Sequence, residues 1–201
     1  MESYSDFCRP GWKLFRKELT FFTKPSRLTP SLTKTFDALE QQRADLMTTV
    51  SAVPDEVYFR SPSAKWSIAQ VIAHIITSER LSLMYMRNKS LGIETLKDSG
   101  VKQSLVFMLL KISQRVPLRY RAPKAVVDNT PEALSKEEAF ARWEKARQEL
   151  RGFLDTIPEK HAHRLIFKHP VGGMLDVRQA VGFMYEHVRH HWPQIKRLLN
   201  P

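Results

Sequence analysis

The sequence predicts an all-α fold, a four-helix bundle with a basic helical excursion between its second and third helices. Three observations carry this. Ser67/Gln70, Ser135/Glu138 and Asp176/Gln179 share one spacing, a capping residue followed three positions later by Gln or Glu. In that arrangement the first side chain takes a free helix amide and the second reaches back to the cap. Four segments repeat apolar residues at three- and four-residue spacing, the period of an amphipathic helix. Seven glycines in 201 residues, with few β-branched runs, argue against a sandwich or barrel.

The first long helix starts at Thr29-Pro30, a cap followed by proline at the first helical position. Its stripe is Leu32, Phe36, Leu39, Leu46, Val50 and Val53, and Pro54 stops it. The second opens at Ser67 and runs through Ile68, Val71, Ile72, Ile75 and Ile76 to about Asn88. In the excursion that follows, Val101, Leu105, Val106, Met108, Leu109 and Ile112 predict a shorter fifth helix, with an extended RVPLRYRAPK segment after it. The third main helix opens at Ser135, carries Phe140, Trp143, Ala146, Leu150, Phe153 and Ile157, and ends at Pro158. Residues 158–175 read as a long loop with a Gly172-Gly173 turn. The fourth helix opens at Asp176 and carries Val177, Ala180, Met184, Val188, His191, Ile195 and Leu198. Residues 1–30 form an N-terminal arm and residues 31–201 the bundle domain.

Composition removes several function classes. The one cysteine, Cys8, excludes an internal disulfide framework and a thiolate zinc knuckle. Apolar runs such as residues 106–110 are far too short to span a bilayer. The first residues, MESYSDFCRPGWKLF, do not read as a secretory signal, so a reducing, cytoplasmic setting is expected. The net charge is +11, but residues 87–124 alone contribute +7, with nine Lys/Arg against Glu94 and Asp98. The bundle itself is near neutral, whereas a nucleic-acid binder carries its basic stripe along its main elements. Specific nucleic-acid recognition is therefore not expected.

The histidines are the chemistry-bearing residues. His187 and His191, spaced i, i+4, lie about one turn apart on the inward stripe of the fourth helix, which suits two ligands of one metal. His74 interrupts the most apolar run of the second helix. It reads either as a core histidine satisfied by one hydrogen bond or as a third ligand. His74 lies seven residues after Ser67 and His191 eight before Leu199, so an antiparallel pairing of these helices sets both at one height, roughly 10–12 Å from the same end. Three neutral imidazoles leave an open coordination position, as catalytic zinc sites do. His190, His161 and His163 read as solvated. His169, before Pro170, is a candidate for the mouth of the site. Glu79, five residues past His74, is turned away from it by helical geometry.

Two motifs then resemble a known family. WSIAQVIAHI at residues 66–75 resembles the W-S-x6-H-[LI] opening of the second helix in the DinB-like (damage-inducible) superfamily. HVRHHWPQI at residues 187–195 resembles its H-x-x-x-H-x-x-Q-[IL] signature, and HPVGG at residues 169–173 is similar to its H-P-x-x-G turn. The resemblance covers about residues 31–199, and the basic excursion matches none of its motifs. It implies up-down-down-up topology and a divalent metal, zinc or nickel, on His74, His187 and His191. It also implies thiol-dependent isomerase or S-transferase relatives that use a low-molecular-weight thiol.

Two functions follow as expectations. The first is a metal-dependent hydrolase or thiol S-transferase acting on a small-molecule substrate. No Ser-His-Asp order, phosphate-cradling glycine loop or paired catalytic carboxylates compete with the metal reading. The second is a non-catalytic metal-bound bundle, a binding or stress-response protein that uses its basic 87–124 excursion on an anionic surface, nucleic acid or membrane. Residues 101–112 discriminate the two. Packed as a lid they serve a pocket; with an exposed apolar face they serve a partner, for which a second copy, giving a homodimer, is one choice.

Overall fold

Local capping chemistry sets the ends of the long helices in the computed structural model, which describes residues 28–62, 65–116 and 122–199. Residues 1–27 of the expected N-terminal arm, and residues 117–121 of the expected extended segment, lie outside them. Helix α1 (Pro30–Ser51) begins where the Leu32 amide donates to Thr29 Oγ1 at 3.4 Å. A short helix, α2 (Asp55–Phe59), follows Pro54. Helix α3 (Ile68–Ser90) has the full reciprocal box: Gln70 N–H donates to Ser67 Oγ at 3.2 Å, and Ser67 N–H to Gln70 Oε1 at 2.9 Å. The excursion contains α4 (Val101–Arg115) and α5 (Lys124–Asn129).

Ser135 takes the Glu138 amide at 3.1 Å to start α6 (Lys136–Leu154). Strands β1 (Leu165–His169) and β2 (Gly173–Asp176) precede α7 (Val177–Leu199). Asp176 and Gln179 cap that last helix reciprocally, at 2.8 and 3.1 Å.

Helices α1, α3, α6 and α7 form the four-helix bundle, and two apolar cores fix their directions. One core joins the start of α1 (Leu32, Phe36) and of α7 (Val177, Ala180) to the ends of α3 (Leu83, Met86) and α6 (Leu150, Leu154). The other joins the ends of α1 (Leu46, Val50) and α7 (Val188, Ile195) to the starts of α3 (Ile68, Ile72) and α6 (Ala139, Trp143). So α1 runs parallel to α7, and α3 parallel to α6 but opposite to the first pair, which is up-down-down-up.

A charged layer crosses the bundle between the cores. Arg147, 1% exposed, clamps the Glu79 carboxylate through Nη2 and Nε at 2.7 and 2.8 Å and reaches Glu40 at 3.1 Å. Trp143 Nε1–H donates to Glu79 at 2.9 Å, and Arg43 bridges Glu40 and Glu144 at 2.9 and 2.6 Å. Glu79 is thus turned away from His74, as helical geometry required, and its carboxylate is committed to holding the bundle together.

Within the expected long loop at 158–175, residues from 165 onward instead form an antiparallel hairpin, closed by His169 opposite Gly173, whose φ of 68° only glycine adopts cheaply. A register shift between Leu165 and Phe167 turns both Ile166 and Phe167 inward. The two-residue alternation that marks a strand is thereby erased.

Helix α4 combines the two arrangements that sequence separates. Phe107, Leu110 and Gln114 face the bundle. A Cβ at Gly182 of α7 would lie 2.8 Å from Phe107 Cζ, so glycine permits the close approach. His190 Nδ1–H donates to the Gln114 carbonyl at 2.9 Å, and Arg115 pairs with buried Glu186 at 2.8 Å. The opposite face, with Leu105, Met108 and Ile112, is exposed.

Candidate metal centre

Antiparallel packing of α3 and α7 places His74, in the second turn of α3, level with His187 at the middle of α7 and His191 one turn further on. His187 Nε2 lies 3.3 Å from His74 Nε2 and 3.2 Å from His191 Nε2. One ligand atom from each of the three falls within 4.8 Å of the others. Each ring is buried, and His187 stacks on Phe183 with centroids 5.6 Å apart and an interplanar angle of 22°. Trp66 packs 5.0 Å from the His74 ring.

Burial keeps these imidazoles neutral. It pushes His74 down to about 4, with a smaller contribution from His190. It pushes His191 to about 3, helped by His74 and opposed by the Gln194 hydrogen bond. His187, between them, is driven well below the ordinary 6.5, by burial first and then by His191 and His74.

His191 Nδ1–H donates to Gln194 Oε1 at 3.0 Å, which leaves the His191 Nε2 lone pair bare and aimed at the cluster. Buried His74 Nδ1 has no hydrogen-bond partner among the described residues. Neutral rings with facing Nε2 atoms share too few protons to satisfy every contact, whereas a cation among them would accept every lone pair directed at it. The residues fit such an ion.

The cluster lies on the wall of a cleft of about 1720 Å³, which the end of α4, α5, the hairpin and α7 also line. His169, 7% exposed, is on that wall. Its Nδ1 accepts the Val171 and Gly172 amides at 3.2 and 2.8 Å, so the neutral ring carries its proton on Nε2. Burial holds its pKa at about 4.

The other expected histidines divide. His163 is half-exposed and accepts from Arg178 at 2.8 Å. His161, expected in solvent, is buried at 3% exposure, with Nε2 3.0 Å from Glu94 of the excursion. His190 is half-buried against α4 rather than solvated. Sequence reasoning did not find Phe183, Glu186 or Gln114. The only available signal was that Phe183 lies four residues before His187, on the same side of α7.

Comparison with known proteins agrees with this architecture. Over 159 residues the chain is 24% identical to the uncharacterized protein YuaE of Bacillus subtilis (strain 168), spanning 79% of this chain and 93% of that protein. Its fold is similar to the solved structure of YfiT from Bacillus subtilis, described as a probable metal-dependent hydrolase with an unusual four-helix bundle topology. The TM-score is 0.52 and the identity 19%, covering 83% of this chain and 84% of that one. Residues 38–195, which include all three clustered histidines, all of α3 and α6 and most of α1 and α7, match the family model for the DinB superfamily. The chain belongs to the DinB superfamily.

Proposed function

We propose that His74, His187 and His191 hold one divalent metal, zinc or nickel, through Nε2, and that the protein is a metal-dependent enzyme on a small-molecule substrate. The observation that carries this is the convergence of three buried, neutral Nε2 atoms on the wall of a large cleft. When bound, such an ion supplies Lewis-acid chemistry: it polarises a substrate carbonyl or lowers the pKa of an incoming water or thiol toward ~7. Hydrolysis, the reaction attributed to YfiT, is the first reading. S-transfer with a low-molecular-weight thiol is the second, and suits the reducing cytoplasm.

The chain's own residues have three tasks. Gln194 fixes the His191 tautomer. Phe183 and Trp66 flank His187 and His74 and limit water around them. His169 offers an Nε2–H to orient a substrate oxygen in the cleft. Residues 31–201 would form the bundle domain that carries the site.

The test is turnover of p-nitrophenyl esters, and of glutathione with an electrophile, by protein loaded with zinc or nickel. Activity should vanish on chelation and in His74→Ala, while Cys8→Ala should leave it unchanged. Activity that persists once metal loss is confirmed would overturn the proposal.

A further inference from the structure

Helix α4 is apolar on two opposite sides. Its inner side, Phe107 and Leu110, packs on α7 and the hairpin. Its outer side carries Val101, Leu105, Met108, Leu109 and Ile112, continued by Val116, at the i, i+4, i+7, i+8, i+11 and i+15 spacing of one unbroken stripe. All six are 43–86% exposed. A contiguous apolar stripe of this length on a surface helix marks a binding face.

Charge selects the occupant. Lys102 borders the stripe on one side, and Lys111 and Arg115 border it on the other. Between Ser99 and Val127 the sequence has six Lys/Arg and no Asp or Glu. Two such faces brought together would set Lys102 and Lys111 against their own copies, with no acid on α4 to answer them, Arg115 being paired already with Glu186 of α7. An apolar strip edged by cations and free of acids is complementary to the boundary between anionic headgroups and acyl chains.

We infer that α4 is an in-plane docking helix for an anionic lipid surface. The stripe enters the headgroup–acyl boundary, and Lys102 and Lys111 meet lipid phosphates. The end of α4 also lines the histidine cleft, so docking would bring that cleft close to the membrane. Nothing in this depends on a metal being bound.

Full-length protein should co-sediment with phosphatidylcholine vesicles containing about 30 mol% phosphatidylserine, and not with phosphatidylcholine alone. Binding should weaken several-fold as salt rises from about 0.05 to about 0.5 M. The double substitution Leu105→Ser/Ile112→Ser should lower vesicle partitioning roughly tenfold or more. Both positions are half exposed, so the unfolding transition should be unchanged, and this is measured alongside. Lys102→Glu is a second variant, acting on charge alone, and should also weaken binding.

No binding to the serine-containing vesicles would overturn the inference. Undiminished binding by the double variant would place the attraction elsewhere in the chain and overturn it as well. A wild-type dimer in sedimentation equilibrium that the double variant abolishes would make a second copy the occupant.

Discussion

Arg147→Met isolates what the charged layer does for the bundle. In the wild type, both Glu79 oxygens meet the Arg147 guanidinium, at 2.7 and 2.8 Å, and one also accepts from Trp143 at 2.9 Å. Methionine fills similar space but removes the charge and all three guanidinium bonds, including the one to Glu40. Glu79, 4% exposed, is then a buried carboxylate with the indole N–H alone. Stranding one partner of a buried pair in this way costs about 3–5 kcal/mol. At about 2–4 °C per kcal/mol for a domain of this size, the melting temperature should fall by about 6–20 °C.

The assay is thermal and urea unfolding followed by circular dichroism, with Glu79→Met/Arg147→Met measured in parallel. That double variant removes the stranded charge and should be more stable than the single one. A loss below about 1 kcal/mol in Arg147→Met would refute the reasoning. So would a double variant less stable than the single, since either result means that the carboxylate is not stranded when its partner is removed.

Two further outcomes follow from the histidines. In metal-free protein His74, His169, His187 and His191 stay neutral where the unfolded chain binds protons, because each is held below 6.5. Stability should therefore be full above pH 6.5 and fall as pH drops toward about 4, by up to about 1.4 kcal/mol per pH unit for each histidine. Urea midpoints of chelated protein at about pH 7, 6 and 5 measure this, and a flat profile would contradict the neutral, buried cluster. His169→Ala should leave metal content unchanged while reducing turnover by about 100-fold, the effect of losing one preorganised donor. Equal metal loss would make His169 part of the ligand set.

Features governed by near neighbours were legible in the sequence. Ser67/Gln70 and Asp176/Gln179 announce their helices because both partners of the box are three residues apart. His187 and His191 share a face for the same reason, and adding His74 needed only a count of turns from two helix ends. What depended on distant partners was not legible. Buried His161 has its hydrogen-bond partner in Glu94, 67 residues earlier in the chain. The hairpin is short and its bulge removes the alternation that would identify it. In α4 the apolar residues were visible, but apolar positions on two sides do not say which side meets the bundle. Gly182, which admits Phe107, decides that from another helix.

The most direct test of the metal centre is the metal content of protein purified without a histidine tag or added metal. The wild type should carry, or on exposure to zinc or nickel take up, one ion per chain. His74→Ala, His187→Ala and His191→Ala should each lose most of it, and His190→Ala should retain it, because His190 commits Nδ1 to the Gln114 carbonyl and its ring is not one of the three whose ligand atoms converge. A wild-type chain that neither carries nor takes up metal, or equal loss from His190→Ala and His187→Ala, would contradict the three-histidine site.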